Sequence, residues 1–97
     1  MASNSAVSSI SATLSTTTVD TCTLTGDCDA GVRVWNLTGT TSLYVTIGGT
    51  APAAPTAGGD NCFVVPAGIW RVLPGNYHGG CVVKVIGNAN AYVVEAV

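Results

Sequence analysis

From Val19 to the end of the chain, apolar residues recur at every second position in short bursts, and Gly, Pro, Asn or Asp closes each burst. A two-residue period puts alternate side chains on opposite faces of an extended strand, so the pattern predicts β-structure. Seven strands are expected, over 19–25, 32–37, 42–47, 62–65, 69–73, 82–86 and 91–97. Alternation assigns their faces. Leu43, Val45 and Ile47 form an inner stripe, with Tyr44 and Thr46 outside. Lys84 outside puts Val83 and Val85 inside, and Glu95 outside puts Tyr92, Val94 and Ala96 inside. Arg71 outside puts Trp70 and Val72 inside. Arg33 outside puts Val32 and Val34 inside and leaves Trp35 and Leu37 facing out. Residues 32–47, VRVWNLTGTTSLYVTI, read as a hairpin, and residues 48–61, with Pro52 and Pro55, read as a long loop.

Residues 1–18, MASNSAVSSISATLSTTT, are dominated by Ser, Thr and Ala, with larger apolar residues at Val7, Ile10 and Leu14. Ser and Thr are poor helix formers, and no Glu–Lys pairs support a helix here. The segment is expected to be an extended N-terminal arm laid across a neighbouring subunit. The remainder, 19–97, has strands at roughly 8–12-residue spacing and no sustained helical period, which predicts an all-β chain. The expected fold is a small single-domain β-sandwich of about seven short antiparallel strands, preceded by that arm.

Composition narrows the function. Charged residues are 8% of the 97, against about 25% in an average domain. A solitary soluble protein keeps a charged surface, so much of this surface is expected to be covered by neighbours. Net charge is −2, and the three basic residues, Arg33, Arg71 and Lys84, form no cluster. Phosphate neutralisation needs such a cluster, so no nucleic-acid partner is expected. No apolar run is long enough for a membrane-spanning helix, and no membrane partner is expected. The first 18 residues have neither a basic start nor an apolar block and do not read as a secretory signal.

Candidate chemistry is sparse. Cys22, Cys28, Cys62 and Cys81 allow three disulfide pairings, and spacing alone does not choose among them. A local Cys22–Cys28 bridge, with Cys62 joined to Cys81, is geometrically plausible, and free buried thiols are the equal alternative. Zinc knuckles are absent and His78 is the sole histidine, so no metal or other cofactor is expected. Asp20, Asp27 and Asp29 are too few for a calcium cage and read as turn residues. A nucleophilic Cys81 with His78 as its base lacks an orienting third group, and no enzymatic activity is expected. Asn36-Leu37-Thr38 fits the N-glycosylation pattern and reads as a chance match. Trp is favoured at interface hot spots. Trp35 and Tyr44 therefore join Val7, Ile10 and Leu14 as interface candidates.

The segment VRVWNLTGTTSLYVTIGGTAPAAPTAGGDNCFVVPAG, with its LYVTIGG, GGDN and VVPAG signatures, resembles small accessory proteins of tailed phages of actinobacteria, similar to head-decoration or capsid-stabilising proteins. The resemblance runs from about Val32 to Val97 and rests on turn and strand signatures, not on chemistry. It implies a β-sandwich on the outer surface of a phage capsid, made in the host cytoplasm. It further implies binding to the major capsid protein as a homo-oligomer, a trimer being favoured. The four cysteines and the Ser/Thr-rich arm depart from that pattern. A carbohydrate- or host-surface-binding module on the virion, or a tail structural protein, is the alternative expectation.

Overall fold

β-branched and small residues dominate the extended segments of the computed structural model, which describes residues 2–56, 59 and 61–97. Among the described residues the strands are β1 (Ser3–Ala6), β2 (Ser9–Thr13), β3 (Asp20–Leu24), β4 (Val32–Asn36), β5 (Leu43–Gly48), β6 (Phe63–Val65), β7 (Trp70–Leu73), β8 (Cys81–Ile86) and β9 (Ala91–Ala96). They form two sheets, ordered β1-β3-β8-β5-β6 and β2-β9-β4-β7. The expected all-β sandwich is therefore present, with all seven expected strands as β3 to β9. Ala57, Gly58 and Asp60, part of the expected 48–61 loop, lie outside the described residues, as does Met1 of the expected arm.

Val32, Val34, Leu43, Val45, Val65, Leu73, Val83, Val85, Tyr92 and Val94 are fully buried between the sheets. Each buried aliphatic side chain contributes roughly 1.5–3 kcal/mol by leaving water. The alternation reading holds for β4, β5, β8 and β9. Thr46 is the exception within β5. It is outward but buried, because its hydroxyl donates to the Ala53 carbonyl (2.6 Å) beneath the following loop.

Three features differ from the sequence reading. First, residues 32–47 are not a hairpin: β4 and β5 lie in opposite sheets. Their apolar stripes face each other across the core instead of lying side by side. Every connection between consecutive strands crosses between sheets, apart from β5–β6. Second, β7 has the opposite parity. Trp70 and Val72 are exposed and Arg71 points to the inner side. β7 is an edge strand, so Arg71 escapes at the margin, donating to the Val64 carbonyl (3.1 Å) with its guanidinium over the Phe63 ring. Third, the N-terminal segment is extended but pairs within its own chain. β1 lies parallel to β3, and β2 antiparallel to β9. The chain changes sheet near Val7, whose carbonyl accepts the Gly26 N–H (2.9 Å). Ile10 and Leu14 are 7% and 2% exposed, so they belong to this chain's core and not to an interface. Ile10 lies in β2 and Leu14 directly follows it.

Two polar clusters close the ends of the sandwich. At the end where β8 finishes, Asn90 donates to Asn36 Oδ1 (3.0 Å) and to the Thr41 carbonyl (2.9 Å). Its own Oδ1 accepts the Asn88 N–H and the Thr41 hydroxyl. Asn36 donates in turn to the Thr41 and Val65 carbonyls. At the end where β8 begins, Cys28 and Tyr77 exchange backbone hydrogen bonds (2.8 and 3.0 Å) and join the β3–β4 and β7–β8 crossings.

Candidate functional site

The outer face of the four-stranded sheet is built by register. Trp35 lies opposite Trp70 on β7 and Val93 on β9, and Arg33 lies opposite Val72 and Glu95. These side chains share one face because residues paired across strands point the same way. The two indoles sit 5.8 Å apart with planes tilted 45°. The Arg33 guanidinium lies 4.8 Å from the Trp70 ring centre. Glu95 Oε1 accepts both the Trp35 indole N–H (2.7 Å) and an Arg33 N–H (3.3 Å). One carboxylate oxygen thus neutralises the guanidinium and occupies the indole donor.

Around this centre the face is apolar or uncharged. Trp70 is 48% exposed, and Leu37, Val72 and Val97 are exposed as well. Ser9, Ser11 and Thr13 of β2 form an exposed hydroxyl border, in register with Glu95, Val93 and Ala91. An exposed apolar centre holding Trp and Arg, with its charges paired, is the composition of an interface core. Sequence reading places Trp35, Arg33 and Leu37 on this outward face and misses Trp70 and Val72, which it put inside. The signal was available: once Trp35 faces out, any strand pairing with it brings its own outward residues alongside.

The other interface candidates disperse. Val7 is exposed at the sheet crossing. Tyr44 is half-buried on the outer face of the other sheet. There it lines an open cleft of about 660 Å³ with Thr41, Ser42, Pro55 and Ile86.

Asp27, Asp29 and His78 meet on the loops above Cys28. His78 Nδ1 lies 3.4 Å from Asp27 and 3.6 Å from Asp29. All three are exposed, and Asp27 also accepts the Gly79 N–H (2.6 Å). This is a solvated polar cluster joining two loops. Asp20 differs from the expected turn residue. It is a buried strand residue that accepts the Tyr92 hydroxyl (2.7 Å) and the Ala2 N–H (3.1 Å).

No disulfide joins the four cysteines in this structure. The Cys22–Cys28 and Cys62–Cys81 pairing does not match their positions. The Cys22 sulfur sits 3.4 Å from the Tyr92 hydroxyl, and the Cys28 and Cys81 sulfurs sit 3.3 Å apart. Cys28 and Cys81 point inward while Asp27, Asp29 and His78 face solvent, so the two groups are not one metal centre. The side-chain amide of Asn36, in the glycosylation pattern, is buried and consumed by two carbonyls.

Burial holds several protons in place. It raises the Cys22 thiol, an effect partly offset by the Tyr92 hydroxyl. It pushes Cys81 up to about 12, with the Cys28 thiol adding to the effect. It also raises the Tyr92 phenol, reinforced by Cys22 and Asp20. Each group binds its proton more tightly when folded, so its contribution is complete below its unfolded value and is lost as pH rises past it. Urea unfolding under reducing conditions is expected to show this contribution undiminished up to about pH 8.5. Above that, stability falls by roughly 1.4 kcal/mol per pH unit for each such group ionised in the unfolded chain. A level profile to pH 10.5 would contradict these assignments.

The chain matches no protein-family model, no curated protein and no solved structure. No helix among the described residues is long and apolar enough to cross a membrane.

Proposed function

We propose that this chain is a non-catalytic structural protein that docks onto a larger protein assembly through the outer face of the β2-β9-β4-β7 sheet. The assembly we assign is the shell of a phage head, with the major capsid protein as partner and a homo-oligomer, such as a trimer, as the attached unit. The observation that carries the reading is the Trp35–Trp70 face, on which Arg33 is ion-paired with Glu95. A partner covering it would bury a matched ion pair and not a lone charge, which is the less costly of the two cases. The low charge of the whole chain and the sequence resemblance support the same role. Repetition over a symmetric shell multiplies modest contacts into stable attachment.

A glycan-binding module is the second reading, favoured by the tilted indole pair, of which Trp70 is exposed. Against it, the Trp35 N–H is already taken by Glu95 and is not available to a sugar hydroxyl.

Purified protein mixed with capsid shells lacking it is expected to co-sediment with them, saturating at a fixed ratio to the shell protein. Failure to sediment, with retention on a glycan array, replaces the first reading by the second. Failure in both assays removes both.

A further inference from the structure

We infer that Cys28 and Cys81 form an intramolecular disulfide that locks the β3–β4 and β7–β8 crossings together. Their sulfurs are already in contact at 3.3 Å, about an ångström beyond a disulfide bond of ~2.05 Å. Both backbones are fixed independently of the sulfurs. Cys28 is held by the two bonds to Tyr77, and its carbonyl accepts the Gly31 N–H (3.3 Å). Cys81 is held in β8, in register with Leu24 of β3. The pair is thus placed by the strands around it. The remaining cysteines are not competitors: Cys22 is engaged with Tyr92, and Cys62 precedes β6 on the far side of the β5–β6 loop.

The oxidant is a low-molecular-weight disulfide such as oxidised glutathione. One thiol loses its proton and attacks that disulfide, expelling one small thiolate and leaving a mixed disulfide. The second thiol, also deprotonated, displaces the other small thiolate. The protein gives up two electrons and two protons, and the reagent becomes two small thiols. Cys28 and Cys81 are 0% and 1% exposed. The folded thiols are therefore shielded, and Cys81 keeps its proton at neutral pH. Oxidation proceeds through opening of the two loops, or during folding, and the closed bond is equally shielded from reductants. The inference does not depend on the docking reading.

Wild-type protein is refolded in oxidised and reduced glutathione, then alkylated and mapped by mass spectrometry without reduction. The expected product is two mass units lighter, with one cross-linked peptide pair containing Cys28 and Cys81, and with Cys22 and Cys62 alkylated. A cross-link across 53 positions is expected to raise Tm by about 10–20 °C, reversed by a dithiol reductant. Cys28→Ala/Cys81→Ala is expected to show no response of Tm to oxidant. The inference is overturned if either residue pairs with Cys22 or Cys62, if both carry glutathione, or if both remain open to alkylation.

Discussion

Asn90→Ala is expected to lower the unfolding free energy by about 3–4 kcal/mol and Tm by about 15 °C or more, one of the largest single losses this fold can show. The reason lies in what the Asn90 amide connects. It is fully buried and makes four hydrogen bonds, to Asn36, to the Thr41 carbonyl and hydroxyl, and to the Asn88 N–H. Those groups sit at the end of β4 and on the β4–β5 and β8–β9 connections, both of which cross between the sheets. Removing the amide leaves the Thr41 hydroxyl and the Asn88 N–H without protein partners and opens a void where the sheets meet. Each bond lost at these part-buried groups costs about 1 kcal/mol, and the void left by the fully buried amide adds to it. Asn90→Asp keeps both acceptor bonds but sets a carboxylate oxygen against Asn36 Oδ1 and the Thr41 carbonyl, so it should be at least as damaging. Urea denaturation of both variants measures this. A loss below 1 kcal/mol for Asn90→Ala would mean that water replaces the amide and that the cluster is not what joins the two layers.

That cluster was invisible in the sequence for a physical reason. Polar residues beside glycine read as a turn, and Asn36 and Asn90 do lie at strand ends, but burial makes them a joint instead of a surface. What alternation reports directly is the inner stripe of a well-paired strand. Leu43, Val45, Val83, Val85, Tyr92 and Val94 were legible because one face of each strand is wholly apolar. The rule failed for β7, where Arg71 is tolerated on the inner side because the sheet ends there. It also failed for the N-terminal segment. Residues 3–13 carry little apolar weight, and it is the open edges of β3 and β9 that make strands of them. Which connections cross between sheets is likewise absent from local pattern. The expected 32–47 hairpin and the unrecognised approach of Cys28 to Cys81 share that cause. Both depend on contacts far apart in the chain, and periodicity carries no information about those.

Trp70→Ala is expected to weaken attachment to capsid shells by about 30-fold or more while costing the fold only about 1 kcal/mol. An exposed aromatic at the centre of a docking face loses at least 2 kcal/mol of binding on truncation. Trp70 sits on an edge strand, about half of it already in water, so the fold has less to lose. Arg33 would lose the ring beneath it but keep its bond to Glu95. Trp35→Ala should weaken binding similarly but destabilise the protein more, because it also strips Glu95 of the indole N–H. Tyr44→Ala, on the opposite sheet, should leave attachment within about two-fold. Salt sharpens the test. With Arg33 and Glu95 already paired, attachment through this face should change little between 50 and 500 mM salt, whereas binding steered by surface charge would weaken. Sedimentation of each variant with shells at both salt levels separates the cases. Unchanged binding by Trp70→Ala, or a loss confined to Tyr44→Ala, would move the docking surface to the other sheet and remove the tryptophan pair from the function.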